Sequence, residues 1–119
     1  MWSVFFTEVF EEWWSSLSGD EQESLTVRVK LLQALGPALG RPYADTVKQS
    51  RHKNMKELRS QVQGRPIRAF YAFDPHRRAI LLTGGCKSGD KRFYERMIRQ
   101  ADDLMDKHLQ DIQQGRKTS

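Results

Sequence analysis

The feature that most limits the fold is a change of hydrophobic period near residue 55. Before it, apolar residues recur at helical steps. After it they alternate, most clearly over 65–73. There Ile67, Ala69, Tyr71 and Phe73 share one face, and Arg68, Phe70 and Ala72 share the other. A period of two demands a strand, and Gln63-Gly64 and Asp74-Pro75-His76-Arg77 are turn chemistry on either side of it. Met55–Val62 alternates weakly and reads as the preceding strand. Ala79-Ile80-Leu81-Leu82-Thr83 is apolar throughout, as a strand covered on both faces would be. The three runs form an antiparallel meander.

Helices flank this meander. Residues 2–6 are aromatic and β-branched and read as a short strand. Thr7 can cap a helix through Leu17. Ser18 and Glu21 have capping-box spacing for a second helix carrying Leu25, Val29 and Leu32, which Gly36-Pro37 ends. Residues 36–54, punctuated by Gly36, Pro37, Gly40 and Pro42, read as a connection with a short turn around 43–47. After Gly84-Gly85, Asp90 can cap a last helix bearing Phe93, Met97, Ala101, Leu104, His108 and Ile112 at three- and four-residue steps. The expected fold is α+β: an N-terminal strand and αα-hairpin, the meander, and a C-terminal helix. The 119 residues fit a single domain, 1–119, with a polar tail from about 113.

Charge is partitioned along the chain. Residues 1–27 hold six acids and no Lys or Arg, whereas residues 28–68 hold ten Lys/Arg against Asp45 and Glu57, within a net charge of +5. A concentrated positive field suits a polyanion such as RNA or DNA, although an ordinary solvated basic face has the same composition. No apolar run reaches the roughly 18 residues of a membrane span, and the start lacks a signal-peptide n-region. Cys86 stands alone, so no internal disulfide is possible. These features point to the cytoplasm. No Cys/His/Asp spacing resembles a zinc site, and no cofactor or metal is expected.

The element order, together with Gly40-Arg41-Pro42-Tyr43-Ala44-Asp45, Lys56-Glu57-Leu58-Arg59, Arg68-Ala69-Phe70-Tyr71 and Thr83-Gly84-Gly85-Cys86-Lys87 leading to Phe93-Tyr94-Glu95, resembles the HigB-like, phage-related branch of the RelE/ParE toxin superfamily. In order, these pieces span residues 2–112. The resemblance implies a type II toxin that cuts messenger RNA on the ribosome and inhibits translation, without a metal, neutralised by a cognate helix-turn-helix antitoxin. Members resembling ParE inhibit DNA gyrase and cut nothing. An accessory nucleic-acid-binding protein without toxicity is a third reading.

Metal-free RNA cleavage can use the 2′-hydroxyl as nucleophile. It then requires a proton acceptor, cations around the phosphorane and help for the leaving oxygen. By the resemblance, Arg68 is the phosphate clamp, Lys56 the basic position on the preceding strand, and Lys87 a cation after the last strand. Tyr94 is an acid or base if nearby cations lower its pKa, or else a packed helix residue. Glu57 is either a solvated charge or a proton acceptor. His52, Lys53, Arg59, Arg65, Lys91 and Arg92 are candidate RNA contacts, with His52 a second-tier acid/base. His76, in a turn, and His108, on the last helix, lie away from this set. Trp2, Trp13 and Trp14 read as core or partner contacts. The acidic hairpin either faces away from the ribosome or helps bind the antitoxin.

Overall fold

The alternation over 65–73 falls on the central strand of the sheet, in a computed structural model describing residues 1–115. The elements are β1 (Ser3–Phe6), α1 (Glu8–Ser15), α2 (Gly19–Leu35), a 3-10 turn at Gly36–Ala38, β2 (Ala44–Thr46), β3 (Lys56–Val62), β4 (Arg65–Phe73), β5 (Arg78–Cys86) and α3 (Phe93–Gln113). Gln113 thus belongs to the helix, and the expected polar tail beyond residue 115 lies outside the described residues. The sheet has the order β1-β5-β4-β3-β2. The meander β3-β4-β5 is antiparallel as expected, whereas β1 joins β5 in parallel and makes the sheet mixed. No described helix is long and apolar enough to cross a membrane.

Local chemistry sets the element ends. The Thr7 side chain accepts from the Phe10 N–H and so caps α1, and Ser18 and Glu21 form the expected capping box of α2. Gly36 ends α2 at φ 55°, a left-handed conformation natural to glycine. Trp2 lies so close that a β-carbon at Gly36 would overlap its indole. Gln63 and Gly64 both have positive φ, as a tight two-residue hairpin turn requires. Two expectations need correction. Within 43–47, Ala44–Thr46 is an edge strand, β2, paired to β3 through Ala44↔Leu58 and Thr46↔Lys56. Asp90 holds a turn three residues ahead of the start of α3, accepting from Arg92 N–H, and Arg92 occupies the cap position itself.

Helices cover both faces of the sheet. On one, α1 and α2 pack Phe10, Leu25 and Leu32 against Leu58, Ile67, Ala69, Tyr71 and Leu81. On the other, α3 packs Phe93, Met97, Ala101 and Met105 against Phe70, Ala72, Ile80 and Leu82. Each fully buried Leu, Ile or Phe contributes about 1.5–3 kcal/mol by leaving water. A bulge opposite Phe70/Tyr71 inserts Leu82 into β5. As a result Leu82 packs on α3 while the next residue, Thr83, also reaches it through a 2.7 Å bond to Gln100.

One buried polar atom lacks a partner without serving any visible purpose. Tyr71 is fully buried, its hydroxyl makes no hydrogen bond, and burial pushes its phenol well above the ordinary value. Tyr71→Phe is therefore expected to leave the thermal midpoint unchanged or raise it slightly, because the hydroxyl's desolvation is not offset. A fall of several degrees in a melting curve would show a bonded hydroxyl instead.

Candidate active site

The Gln63-Gly64 turn sets the register that builds the site. It pairs Val62 with Arg65, and hence Arg59 with Arg68, Glu57 with Phe70 and Lys56 with Tyr71. Strand alternation then puts Glu57, Arg59 and Arg68 on the α3 side, and Lys56 with Leu58 on the α1/α2 side. The first turn of α3 carries Tyr94 over the same end of the sheet, where its ring meets Phe70 edge-on with centroids 6.1 Å apart.

Four side chains meet there. Arg68 is only 7% exposed; its Nη1 donates to the carbonyls of Ile67 (3.0 Å) and Ser60 (3.4 Å). Its Nε lies 3.6 Å from Glu57 Oε1 and makes no hydrogen bond. Glu57, also buried, accepts from the Tyr94 hydroxyl at 2.8 Å. The Lys87 ammonium sits over the Tyr94 ring, 5.3 Å from its centroid. Burial, followed by the bond to Glu57, raises the Tyr94 pKa above the ordinary phenol value, and Arg68 opposes the shift without reversing it. The expectation of a lowered pKa is thus corrected: at neutral pH Tyr94 is a protonated donor. Glu57, left undecided by the sequence, is the group that joins Arg68 to Tyr94.

Other expected residues lie elsewhere. Lys56 is corrected out of the cluster: its Nζ donates to the Pro37 carbonyl (3.2 Å) on the α1/α2 side. Lys56→Met should therefore leave any activity of the Arg68 cluster within about twofold, a surface change of this kind being nearly neutral. A hundredfold loss would return Lys56 to the chemistry. His52 bonds Asp106 at 2.8 Å and, with Ser50 and Arg51, staples its loop to the middle of α3. Asp106 is twelve residues beyond Tyr94, about 18 Å along the helix, so His52 is a structural histidine rather than an acid/base of the cluster. Arg65 pairs with buried Glu21 at 2.8 Å and braces the capping box of α2. Lys53, Lys91 and Arg92 are exposed, the last two in the turn that leads into α3. Arg59 shares the Arg68 face and lines a pocket with it.

A sheet with an αα-hairpin on one face and a C-terminal helix on the other has the layout of a RelE-like α+β protein. The isolated RelE toxin of E. coli, in its crystal structure, matches with TM-score 0.52 and 13% identity, covering 83% of this chain and 98% of that one. Residues 12–106 match the family described as phage-derived protein Gp49-like (DUF891). The chain belongs to that family, and its fold is RelE-like. Two relatives from Mycobacterium tuberculosis are similar in sequence. Putative toxin HigB2 is 43% identical over 104 residues, 86% of this chain and 52% of HigB2. Putative toxin HigB3 is 46% identical over 101 residues, 84% of this chain and 87% of HigB3. The chain thus spans about half the length of the first and most of the second.

Proposed function

We propose that this chain is the toxin of a toxin–antitoxin pair and that it cuts messenger RNA at the Arg68 cluster while the RNA is held on the ribosome. The observation that carries the reading is the meeting of Arg68, Glu57, Tyr94 and Lys87 at one end of the sheet. The 2′-oxygen of the RNA attacks the adjacent phosphorus and passes its proton to the Glu57 carboxylate. Arg68 meets the charge on the phosphorane with its planar guanidinium, oriented by the Ile67 and Ser60 carbonyls and by Glu57 beside its Nε. Tyr94, kept protonated, donates to the departing 5′-oxygen, and Lys87 adds positive charge beside it. The products are a 2′,3′-cyclic phosphate and a 5′-hydroxyl. The acidic α1–α2 hairpin lies across the sheet from this cluster, away from the RNA. The sequence relation to the two putative HigB toxins supports toxicity and a cognate antitoxin.

Controlled induction followed by mapping of transcript 5′ ends tests this reading. New ends inside translated reading frames, dependent on ribosome passage, are expected. Growth arrest with intact transcripts and a DNA-damage response would instead indicate a gyrase-type inhibitor and end the nuclease reading.

A further inference from the structure

A second basic feature lies beside Arg68, at the one stretch of β3 that β2 does not cover. β2 pairs only with Lys56, Glu57 and Leu58, and one further bond joins Arg59 N–H to the Tyr43 carbonyl. Beyond that point the edge of β3 borders a cavity of about 270 Å³ lined by Arg28, Pro42, Arg59, Ser60, Gln61 and Arg68. Arg28 arrives from α2, on the far face, and reaches around the sheet edge. Its Nε donates to the Arg59 carbonyl at 2.9 Å, and its guanidinium lies 5.0 Å from the centre of the Tyr43 ring. One donor and one face are thus fixed, which orients the fork and leaves four N–H groups on its terminal nitrogens. Among the described residues no carboxylate pairs with Arg28 or Arg59. Asp45 is held by Arg41, with Arg59 acting on it only through its charge, and Glu57 is shared by Tyr94 and Arg68.

Three guanidiniums line this one small cavity, and of the three only Arg68 has, among the described residues, a carboxylate within ion-pair distance, Glu57 at 3.6 Å. Arg68, more than nine-tenths buried and with its Nε unbonded, forms the inner wall. We infer that this cavity is a phosphate subsite, holding by Arg28, Arg59 and Arg68 a backbone phosphodiester of single-stranded RNA next to the one that is cut. The inference rests on the proposed nuclease reading only for the identity of the strand. Arg68 belongs to both places, so a strand held here lies with its neighbouring phosphate toward Glu57 and Tyr94. An arginine fork suits a phosphodiester because two parallel N–H donors match two phosphate oxygens.

Binding of a fluorescein-labelled 12-nucleotide 2′-O-methyl RNA, which cannot be cut, measures the subsite across a salt series. Arg28→Gln is expected to weaken binding about tenfold at low salt, the loss of one charge-assisted contact. It should also reduce the slope of log K against log salt by about 0.7, the share of one phosphate on a single strand. Arg28→Lys should retain the slope while losing part of the affinity. Gln61→Glu changes only an exposed rim side chain, without touching the bonds of Arg28, and should weaken binding several-fold by repulsion. An unchanged slope in Arg28→Gln, or unchanged affinity in Gln61→Glu, overturns the subsite. Inorganic phosphate that raises the melting point of the wild type but not of Arg28→Gln, with the RNA slope unaffected, would reveal a free-anion site and also overturn it. A slope change in a chain that cuts no transcript would remove the nuclease reading and keep the subsite. Normal cutting with no slope change would do the reverse.

Discussion

Arg68→Lys is expected to lower the rate of transcript cleavage by about 10²–10³-fold while leaving the protein folded. Lysine keeps the positive charge, so this substitution isolates what the planar fork contributes. Arg68 lies against the Ile67 and Ser60 carbonyls through Nη1 and beside Glu57 through Nε, an arrangement that holds the guanidinium plane at one orientation. A lysine ammonium placed there can satisfy one of those partners or the phosphorane, not both. Arg68→Ala is a poorer probe, because removing the cation leaves Glu57 buried with one neighbour fewer and can cost several kcal/mol of stability. Tyr94→Phe is a companion to it. It should slow cutting without weakening RNA binding, since the ring that packs on Phe70 is retained and only the donated proton is lost. Transcript mapping and a melting curve on the same variants decide the matter. Wild-type cutting by a folded Arg68→Lys protein would remove Arg68 from the chemistry.

What the sequence disclosed follows the reach of each interaction. The capping box at Ser18/Glu21, the stop at Gly36 and the meander turns are governed by residues within four positions of one another, and each lies where local chemistry places it. The face on which Lys56 lies is equally legible. A two-residue turn at Gln63-Gly64 fixes Lys56 opposite Tyr71 and Arg59 opposite Arg68, so alternation alone puts Lys56 on the Tyr71 face and Glu57 on the face of Arg68. The family resemblance marks Lys56 only as the basic position on the strand before Arg68 and does not fix its face. Glu57, by contrast, takes its meaning from burial under Tyr94, 37 residues away, and no local pattern reports that.

One strand and one strand pairing are hidden for a different reason. Ala44–Thr46 has neither the length nor the alternation of an isolated strand; it becomes one by borrowing the edge of β3. β1 was legible as a strand, but its parallel partner, β5, lies more than seventy residues on, with Ser3 beside Arg78. His52 looked like a site residue because it stands between Arg51 and Lys53. The acids that hold its loop lie on the far side of the chain, at Asp102, Asp103 and Asp106.

The largest effect on stability is expected far from the site, at Asp74. Its carboxylate is fully buried and takes hydrogen bonds from His76 N–H (2.9 Å), Arg78 N–H (3.1 Å), Arg78 Nε (2.8 Å) and His108 Nε2 (2.9 Å). These bonds close the β4–β5 turn and anchor it to the last turns of α3, so one side chain joins sheet and helix. Burial alone would raise the Asp74 pKa; the bonds from His108 and Arg78 outweigh it and hold the carboxyl below its ordinary value. Because the folded pKa is the lower one, this stability is fully present above about pH 4, the ordinary carboxylate range, and is lost as pH falls through the folded value. Asp74→Ala leaves Arg78 and buried His108 without their acceptor and should cost about 3–5 kcal/mol, the usual cost of breaking a buried pair. For a chain of this size that is a fall in melting midpoint of roughly 10–20 °C near neutral pH. Asp74→Asn keeps the shape and one acceptor oxygen and should lose less. The gap between wild type and Asp74→Asn should be present at neutral pH and shrink below pH 4, as the wild-type carboxylate itself takes up a proton. Melting curves over that range provide the measurement. A gap that persists unchanged at pH 3 would mean that the charge of Asp74 does not hold the turn, and that packing around residue 74 does.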